Sequence, residues 1–387
     1  MVRVGVVGFG TQGKLYSGIL SGTAQGNWPV LPQPKGCVLT AVSTRNEEEQ
    51  ETIESIPNVR YFKDWRDMIA SDACDAVVIT VPHFIHHEIA VAALEAGKHV
   101  LCEKPMTIRV DRAEAIVAAA EKNPHAKLAM MFNQRSNGLL RKIKEIIDSG
   151  ELGVMRNSYY MTNNWWRPDN YYAGNGWRGT WSGEGGGILV NQACHPLDLW
   201  IWLCGMPSAV FASCLEGAHR NIGVENDVMV LARYANGGQG IFTTCSHDLM
   251  GTDRLEIAFD KGKVILEGNR KATVWRYAQT EQEFGEQYDF RTFGSVLAQS
   301  PMDVYTREEL TDDSVFADDY RKMFENFARY IAGEALPIAA GEDGLAQVRL
   351  ANAIQLSGWT GKEIQLPCDT EEYNRWLECK ICEERKI

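Results

Sequence analysis

The sequence predicts an α/β protein in two parts, a doubly wound parallel sheet followed by an α+β unit on a large, open, mostly antiparallel sheet. Three observations carry this reading. Continuous apolar runs at the start of the chain and at Ala76–Pro82, and a further strand at Ala126–Phe132, alternate with helical stretches, the pattern of strands covered by helices on both faces. From about residue 150 the runs give way to alternating apolar and polar residues joined by tight turns, the pattern of a sheet with one open face. At 387 residues the chain is also long for a single core. The first unit is placed at 1–130, the second at 131–367, and a charged C-terminal tail at 368–387.

Met1–Val7 is apolar apart from Arg3 and opens directly into Gly8-Phe9-Gly10-Thr11-Gln12-Gly13, a Gly-x-Gly-x-x-Gly turn between strand and helix. Gly8 permits the tight turn, Gly10 lets a pyrophosphate approach the backbone, and Gly13 lets helix and strand pack closely. The first unit therefore reads as a Rossmann fold for NAD(H) or NADP(H). The helix from about Thr11 offers its N-terminal N–H groups and dipole to the phosphates. Glycines and prolines between Gly22 and Gly36 predict a loop that delays the second strand, Cys37–Ser43. That strand ends in Ser43-Thr44-Arg45 instead of the acid that holds a ribose 2′-hydroxyl. Hydroxyls and an arginine suit a 2′-phosphate better, although Glu47, Glu48 and Glu49 follow and read as the start of a solvated helix.

Ala76–Pro82 is the next strand, and His83 to Ala96 reads as a helix with His86 and His87 near its start. The pair could serve as metal ligands, but the expectation is that one caps or packs beside the nicotinamide and the other is exposed. Val100–Cys102 is a short buried strand ending in Glu103-Lys104-Pro105. Proline cannot donate to a ladder, so Pro105 stops the strand and leaves Lys104 at the carboxyl edge of the sheet, where open α/β sheets place ligands. A helix at Val110–Lys122 and the strand at Ala126–Phe132 follow. In the second unit Val154–Asn163 alternates as a half-buried strand. Asn236-Gly237-Gly238 joins Asp227–Ala235 to Gln239–His247, and Asp260-Lys261-Gly262 joins Arg254–Phe259 to Lys263–Glu267, giving two hairpins. Helical patterns return at Ala317–Ile331 and Gly344–Leu356.

The second unit also holds Gly185-Gly186-Gly187-Ile188-Leu189-Val190-Asn191-Gln192-Ala193-Cys194-His195-Pro196-Leu197-Asp198. If Asn191 opens a helical turn, His195 lies four positions on and shares its face. A histidine with a polar orienting neighbour suits a general base; the competing reading is a buried histidine satisfied by Asp198. Cys379-Lys380-Ile381-Cys382 reads as an incidental pair in a helical tail, since no second pair at zinc spacing is evident, and no metal site is expected. A net charge of −12 argues against nucleic acid or an anionic membrane as partner. The absence of a long apolar run or a leader, and ten scattered cysteines, point to a soluble protein of the reducing cytoplasm.

Together these motifs resemble the Gfo/Idh/MocA oxidoreductases. The resemblance runs through Gly8–Gly13, Pro82…His86, the Gly97–Pro105 stretch, Asn133-Gln134-Arg135, Gly150–Gly153, Gly185–Asp198, Ala353…Ser357 and Leu366-Pro367. It implies a nicotinamide enzyme acting on a sugar or polyol hydroxyl, with Lys104 contacting the reacting hydroxyl and His195 as general base. It also implies cofactor contacts at Pro82, His86, Glu103 and Lys104. Inositol dehydrogenase-like members carry aspartate where this chain has Asn191, which can bind a hydroxyl but cannot relay a proton. Asparagine there resembles the branch that handles hexopyranosides and nucleotide sugars. Residues 163–181 hold four of the chain's 11 tryptophans and read as a sugar-stacking wall, with Trp165, Trp177 and Arg178 among the substrate candidates. The reading is a dehydrogenase that oxidises a ring hydroxyl of a sugar or glycoside, at C3 in its sharpest form. The alternatives are a glycosidase working by transient oxidation and elimination, with Asp169, Tyr171 or Tyr172 as second acid/base, and a non-catalytic nicotinamide-binding regulator. Pairing through the open face of the second sheet, as in the family, implies a homo-oligomer.

Overall fold

In a computed structural model of the chain, which describes residues 1–25, 27, 30–174, 176–313 and 316–385, the opening apolar run becomes β1 (Val2–Val7), with Val4, Val6 and Val7 buried. Five further runs join it in parallel: β2 (Cys37–Ser43), β3 (Arg60–Phe62), β4 (Ala76–Ile79), β5 (His99–Cys102) and β6 (Leu128–Met130). Their order is β3-β2-β1-β4-β5-β6, so the chain reverses its direction of travel between β1 and β4 and opens a crevice at their carboxyl ends. The helix Thr11–Ser21 turns Leu15, Tyr16, Ile19 and Leu20 to the sheet and ends at Gly22, whose φ of 69° closes it with an N–H to Gly18 O. The predicted helix at 83–96 is a 3₁₀ turn, His83–Ile85, followed by the helix His86–Glu95. The expected loop at 22–36 falls partly outside the described residues.

The second half forms a nine-stranded sheet. It contains β7 (Met155–Thr162), β8 (Ala209–Glu216), β9 (Glu225–Arg233), β10 (Gln239–Cys245), β11 (Asp253–Phe259), β12 (Gly262–Glu267), β13 (Lys271–Tyr277), β14 (Tyr305–Thr311) and β15 (Ile364–Gln365). The order is β14-β13-β12-β11-β7-β10-β9-β8-β15, antiparallel throughout except where β7 runs parallel to β10. Both predicted hairpins are present as β9–β10 and β11–β12. Along β7 burial alternates: Ser158, Tyr160 and Thr162 face a core, while Tyr159 and Met161 stay exposed. The covered face packs against the helices Gly138–Asp148, Cys194–Cys204 and Gly341–Thr360, with Trp200 stacked on Phe242 at its centre.

Two helices tie the halves together. Phe316–Ile331, assigned above to the second unit by its place in the chain, packs Tyr320, Met323, Phe324 and Phe327 against Val4, Leu15 and Tyr16 of the first. Gly341–Thr360 contributes Leu345 and Val348 to the core around β5 and β6, and Leu350 and Ile354 to the core of the second sheet. The stretch expected as a charged tail carries the helix Thr370–Glu384, docked through Tyr373 and Leu377, both buried. Cys379 and Cys382 lie exposed and unbonded on that helix. No described helix is long and apolar enough to cross a membrane.

Candidate active site

At the β1–helix turn, three glycines meet three different demands. Gly8 has φ +98°, which favours glycine. A Cβ on Gly13 would lie 2.1 Å from the Gly8 carbonyl oxygen, so strand and helix could not approach as they do. Around Gly10 a Cβ would meet nothing within 4 Å, which leaves open space over the helix N-terminus. The first turn of that helix carries no acid, so its dipole is free to meet an anion. Thr80, just past β4, donates its hydroxyl to Val7 O and Gly8 O, both at 3.0 Å, and pins the turn across the crevice. These residues fit a dinucleotide. Phe9 turns its ring into the core behind the turn, and Gln12 donates to the Tyr16 hydroxyl at 2.8 Å.

Beyond β2, Ser43 is buried, Thr44 is half-buried and Arg45 is exposed, with no ion pair among the described residues. The acids that follow are engaged elsewhere. Asn46 caps the short turn Glu47–Glu49, Glu47 pairs with Lys63, and Glu49 pairs with Lys14 at 2.7 Å.

Lys104 stands where β5 ends, and its surroundings are fixed from both sides. His86, buried as expected of one of the pair, sits with its ring nitrogens 2.8 Å from Val81 O and 3.0 Å from Pro105 O, bridging the ends of β4 and β5. His87 is half-buried. Pro82 begins the turn that carries His83. Glu103 is buried and spends its carboxylate inside the protein, accepting from the Tyr16 hydroxyl and from Lys104 N–H. Burial raises its pKa above the usual carboxylate value.

The Lys104 ammonium then reaches out of the first half to the 185–198 segment, donating to Asn191 O at 2.8 Å and facing Asn191 Oδ1 at 3.5 Å. Asn191 does not open a helix with His195. The helix begins at Cys194, residues 188–193 form turns, and the Asn191 amide points to Lys104, Glu184 and the Tyr171 hydroxyl. His195 is not satisfied by Asp198 either. Asp198 accepts two bonds from Arg135, at 2.8 and 2.6 Å, while His195 Nδ1 is buried without a partner among the described residues. Burial and the nearby Lys104 charge hold the His195 imidazole well below its ordinary pKa, so it is neutral at pH 7. The glycines before it allow close packing: a Cβ on Gly187 would sit 2.0 Å from Glu225 O. The Glu225 carboxylate accepts from Gly187 N–H at 2.9 Å and Leu189 N–H at 3.3 Å, and burial pushes its pKa up to about 8.

The tryptophans expected to form a stacking wall divide between core and site. Trp165 packs on the second core and gives its indole N–H to Thr162 at 3.0 Å; Trp181 is buried against Trp359. Trp177 and Arg178 do stand beside the site. Trp177 meets the His83 ring edge-on at 5.4 Å, and the Arg178 guanidinium lies 4.3 Å from the Tyr171 ring centre, its buried Nε unbonded among the described residues. Sequence reasoning passed over two residues here, His83 and Glu184. His83 Nδ1 lies 3.4 Å from Glu184 O, and burial keeps the ring neutral. Glu184 accepts from Gly179 N–H at 2.7 Å and from the Asn191 amide, and burial pushes its pKa up to about 7. The only sequence signal for Glu184 was an acid in front of a glycine triplet.

Comparison with known proteins identifies both halves of the chain. Residues 2–131 match a family model described as an oxidoreductase family with an NAD-binding Rossmann fold, and residues 140–265 match the GFO/IDH/MocA C-terminal domain. The chain is 25% identical over 373 residues to scyllo-inositol 2-dehydrogenase (NADP(+)) IolW of Bacillus subtilis, covering 94% of this chain and 96% of that one. It is 27% identical over 297 residues to levoglucosan dehydrogenase of Pseudarthrobacter phenanthrenivorans, covering 70% and 74%. The crystal structure of the WlbA dehydrogenase from Bordetella pertussis, in complex with NADH and UDP-GlcNAcA, superposes with a TM-score of 0.75 at 25% identity, over 95% of this chain and 98% of that one. The chain belongs to the Gfo/Idh/MocA family and is an NAD(P)-dependent oxidoreductase.

Proposed function

We propose that this enzyme oxidises a ring hydroxyl of a sugar or glycoside, at C3 in the sharpest form of the reading, to a keto-sugar, with Lys104 and His195 as its catalytic residues. The observation that carries the reading is the meeting of an ammonium from the first half with the His195 segment of the second. When bound, the nicotinamide supplies the acceptor for hydride. Lys104 orients the hydroxyl oxygen and stabilises the alkoxide charge that develops on it. The His195 imidazole, held neutral, takes the hydroxyl proton. Trp177 offers an aromatic face and Arg178 hydrogen-bond donors to the rest of the sugar. The named substrates of the relatives, scyllo-inositol and levoglucosan, support a polyhydroxylated ring. Ser43, Thr44 and the unpaired Arg45 support NADP(H) over NAD(H). Residues 1–130 serve the nucleotide and 131–367 the substrate in this reading, and the exposed Met229 and Leu231 support a homo-oligomer joined through the second sheet. Ten unbonded cysteines support a cytoplasmic setting.

The test is incubation with NAD⁺ and NADP⁺ across a panel of inositols, free sugars, aryl glycosides and nucleotide sugars, following reduced nucleotide by absorbance and keto product by mass spectrometry. Reduced nucleotide with an oxidised ring is expected; no keto product across the panel overturns the reading. A glycosidase acting by transient oxidation is favoured by the Tyr171 hydroxyl beside Asn191, and release of free sugar without net nucleotide reduction would select it.

A further inference from the structure

The Asn191 side chain bonds both Lys104 and a carboxylate, and its amide has two unlike ends. Its oxygen faces the Lys104 ammonium at 3.5 Å, while its NH₂ group meets Glu184 and the Tyr171 hydroxyl, the latter at 3.2 Å. Turned over, the amide would set NH₂ against an ammonium and oxygen against a carboxylate, two repulsive contacts in place of two attractive ones. Glu184 is 1% exposed, and its other oxygen accepts the Gly179 N–H, next to Arg178 and two residues from Trp177. One buried carboxylate therefore joins the wall that carries Trp177 and Arg178 to the residue that steers Lys104.

We propose that Glu184 is a positioning residue of the reaction: its carboxylate fixes the Asn191 amide with the oxygen end toward Lys104 and docks the Trp177–Arg178 loop against the same point. This rests on the reading of Lys104 as a catalytic residue. The groups facing Glu184 are Lys104 after β5, His83 after β4, Arg178, Tyr171 and Tyr172 on the wall, and Cys194 at the start of the His195 helix. Burial opposes its ionised form, while the bonds from Gly179 N–H and the Asn191 amide and the two cations favour it, leaving it poised near neutrality. Loss of its proton strengthens the hold on Asn191, so kcat/KM rises through about pH 7.

Three forms of the enzyme test this: wild type, Glu184→Gln and Glu184→Asp. The expected result is a roughly 10- to 100-fold fall in kcat/KM for Glu184→Gln, the range a displacement of about 1 Å produces. The limb near pH 7 should vanish in Glu184→Gln and return in part in Glu184→Asp. A second readout needs no turnover. In protein labelled with ¹⁵N-asparagine, the Asn191 side-chain amide signals, assigned with Asn191→Ser, should shift with pH through about 7 in wild type and stay fixed in Glu184→Gln. Amide signals that titrate identically in both forms overturn the proposal, as does an unchanged pH profile. Wild type that shows the amide titration but oxidises no sugar or polyol refutes the proposed function and leaves the Glu184–Asn191 coupling standing.

Discussion

Asp198→Asn tests how the helix that carries His195 is held in place. Asp198 and Arg135 are 2% and 4% exposed and share two hydrogen bonds, and Asp198 sits one helical turn beyond His195. Removing one partner of a buried pair costs about 3–5 kcal/mol, because a charge is left behind without compensation. Here Arg135 keeps Asp343 at 3.0 Å, a carboxylate that is 33% exposed, so part of its charge stays neutralised. The loss should therefore fall near the lower end, about 3 kcal/mol, a large share of the ~5–15 kcal/mol by which proteins are stable. Urea denaturation at neutral pH reads this directly. Freed from Arg135, the Cys194–Cys204 helix should drift, and a shift of about 1 Å at His195 would lower kcat/KM about 100-fold. Binding of reduced nucleotide at the β1 turn should be unchanged. An Arg135→Met, Asp198→Leu double variant should recover most of the stability, since apolar replacement removes both desolvated charges. If Asp198→Asn lies within about 0.5 kcal/mol of wild type, or the double variant is no more stable than the single one, the pair does not hold the helix.

Other outcomes follow from the same structure. Lys104→Met should lower kcat by about 10²–10³-fold, and His195→Asn by about 10²–10⁴-fold, with nucleotide affinity retained in both; steady-state kinetics beside a fluorescence titration of reduced nucleotide separates the two effects. Arg45→Glu should cut kcat/KM for NADP⁺ about tenfold or more and spare that for NAD⁺, since a hydrogen bond to a charged group contributes about 1.5–3 kcal/mol; an unchanged ratio removes Arg45 from the 2′-phosphate site. Glu225 binds its proton up to about pH 8 when folded but only to about 4.5 when unfolded, so the folded state holds the extra proton and stability falls as pH rises between those values. Melting curves at both ends of that window should show a shallower decline for Glu225→Gln. Leu231→Glu, placed on the exposed face of β9, should reduce the oligomer mass by light scattering, and an unchanged mass would argue that this face is not the interface.

How legible each part was depends on how local its cause is. β1 and the glycine turn could be read directly, because an apolar run, a tight turn and a helix start are decided within a dozen residues. The same holds for β9–β10, whose Asn236-Gly237-Gly238 turn declares itself. The edge strands β14 and β15 were not anticipated. β15 is two residues long and exists only because β8 offers it a free edge. Site geometry was harder for the same reason. Asn191 and His195, four apart, suggested one helical face, but the close packing of Gly187 on Glu225 forces turns through 188–193 and postpones the helix to Cys194. The pairing of Arg135 with Asp198 joins residues 63 positions apart, and nothing near either announces it. Composition could not separate core from surface tryptophans: Trp181 is buried in a core and Trp165 is half-buried against another, while Trp166 stays exposed.

A base held well below its ordinary pKa looks like a poor choice for taking a proton from an alcohol. The resolution lies in what lowers it. Besides burial, the Lys104 charge is the cause, and in the proposed reaction that same charge faces the hydroxyl being deprotonated. A cation disfavours protonation of a nearby imidazole and favours ionisation of a nearby hydroxyl, so it moves donor and acceptor in the same direction. Proton transfer depends on the difference between the two, and the alkoxide, bonded directly to the ammonium, gains more than the imidazole loses, because Coulomb energy falls with distance. The arrangement also keeps His195 unprotonated, and hence competent, well below neutral pH. Any fall in activity near pH 7 must then come from another group. Among the groups around Lys104, the carboxylate poised there is Glu184, which couples the pH profile to the orientation of Asn191.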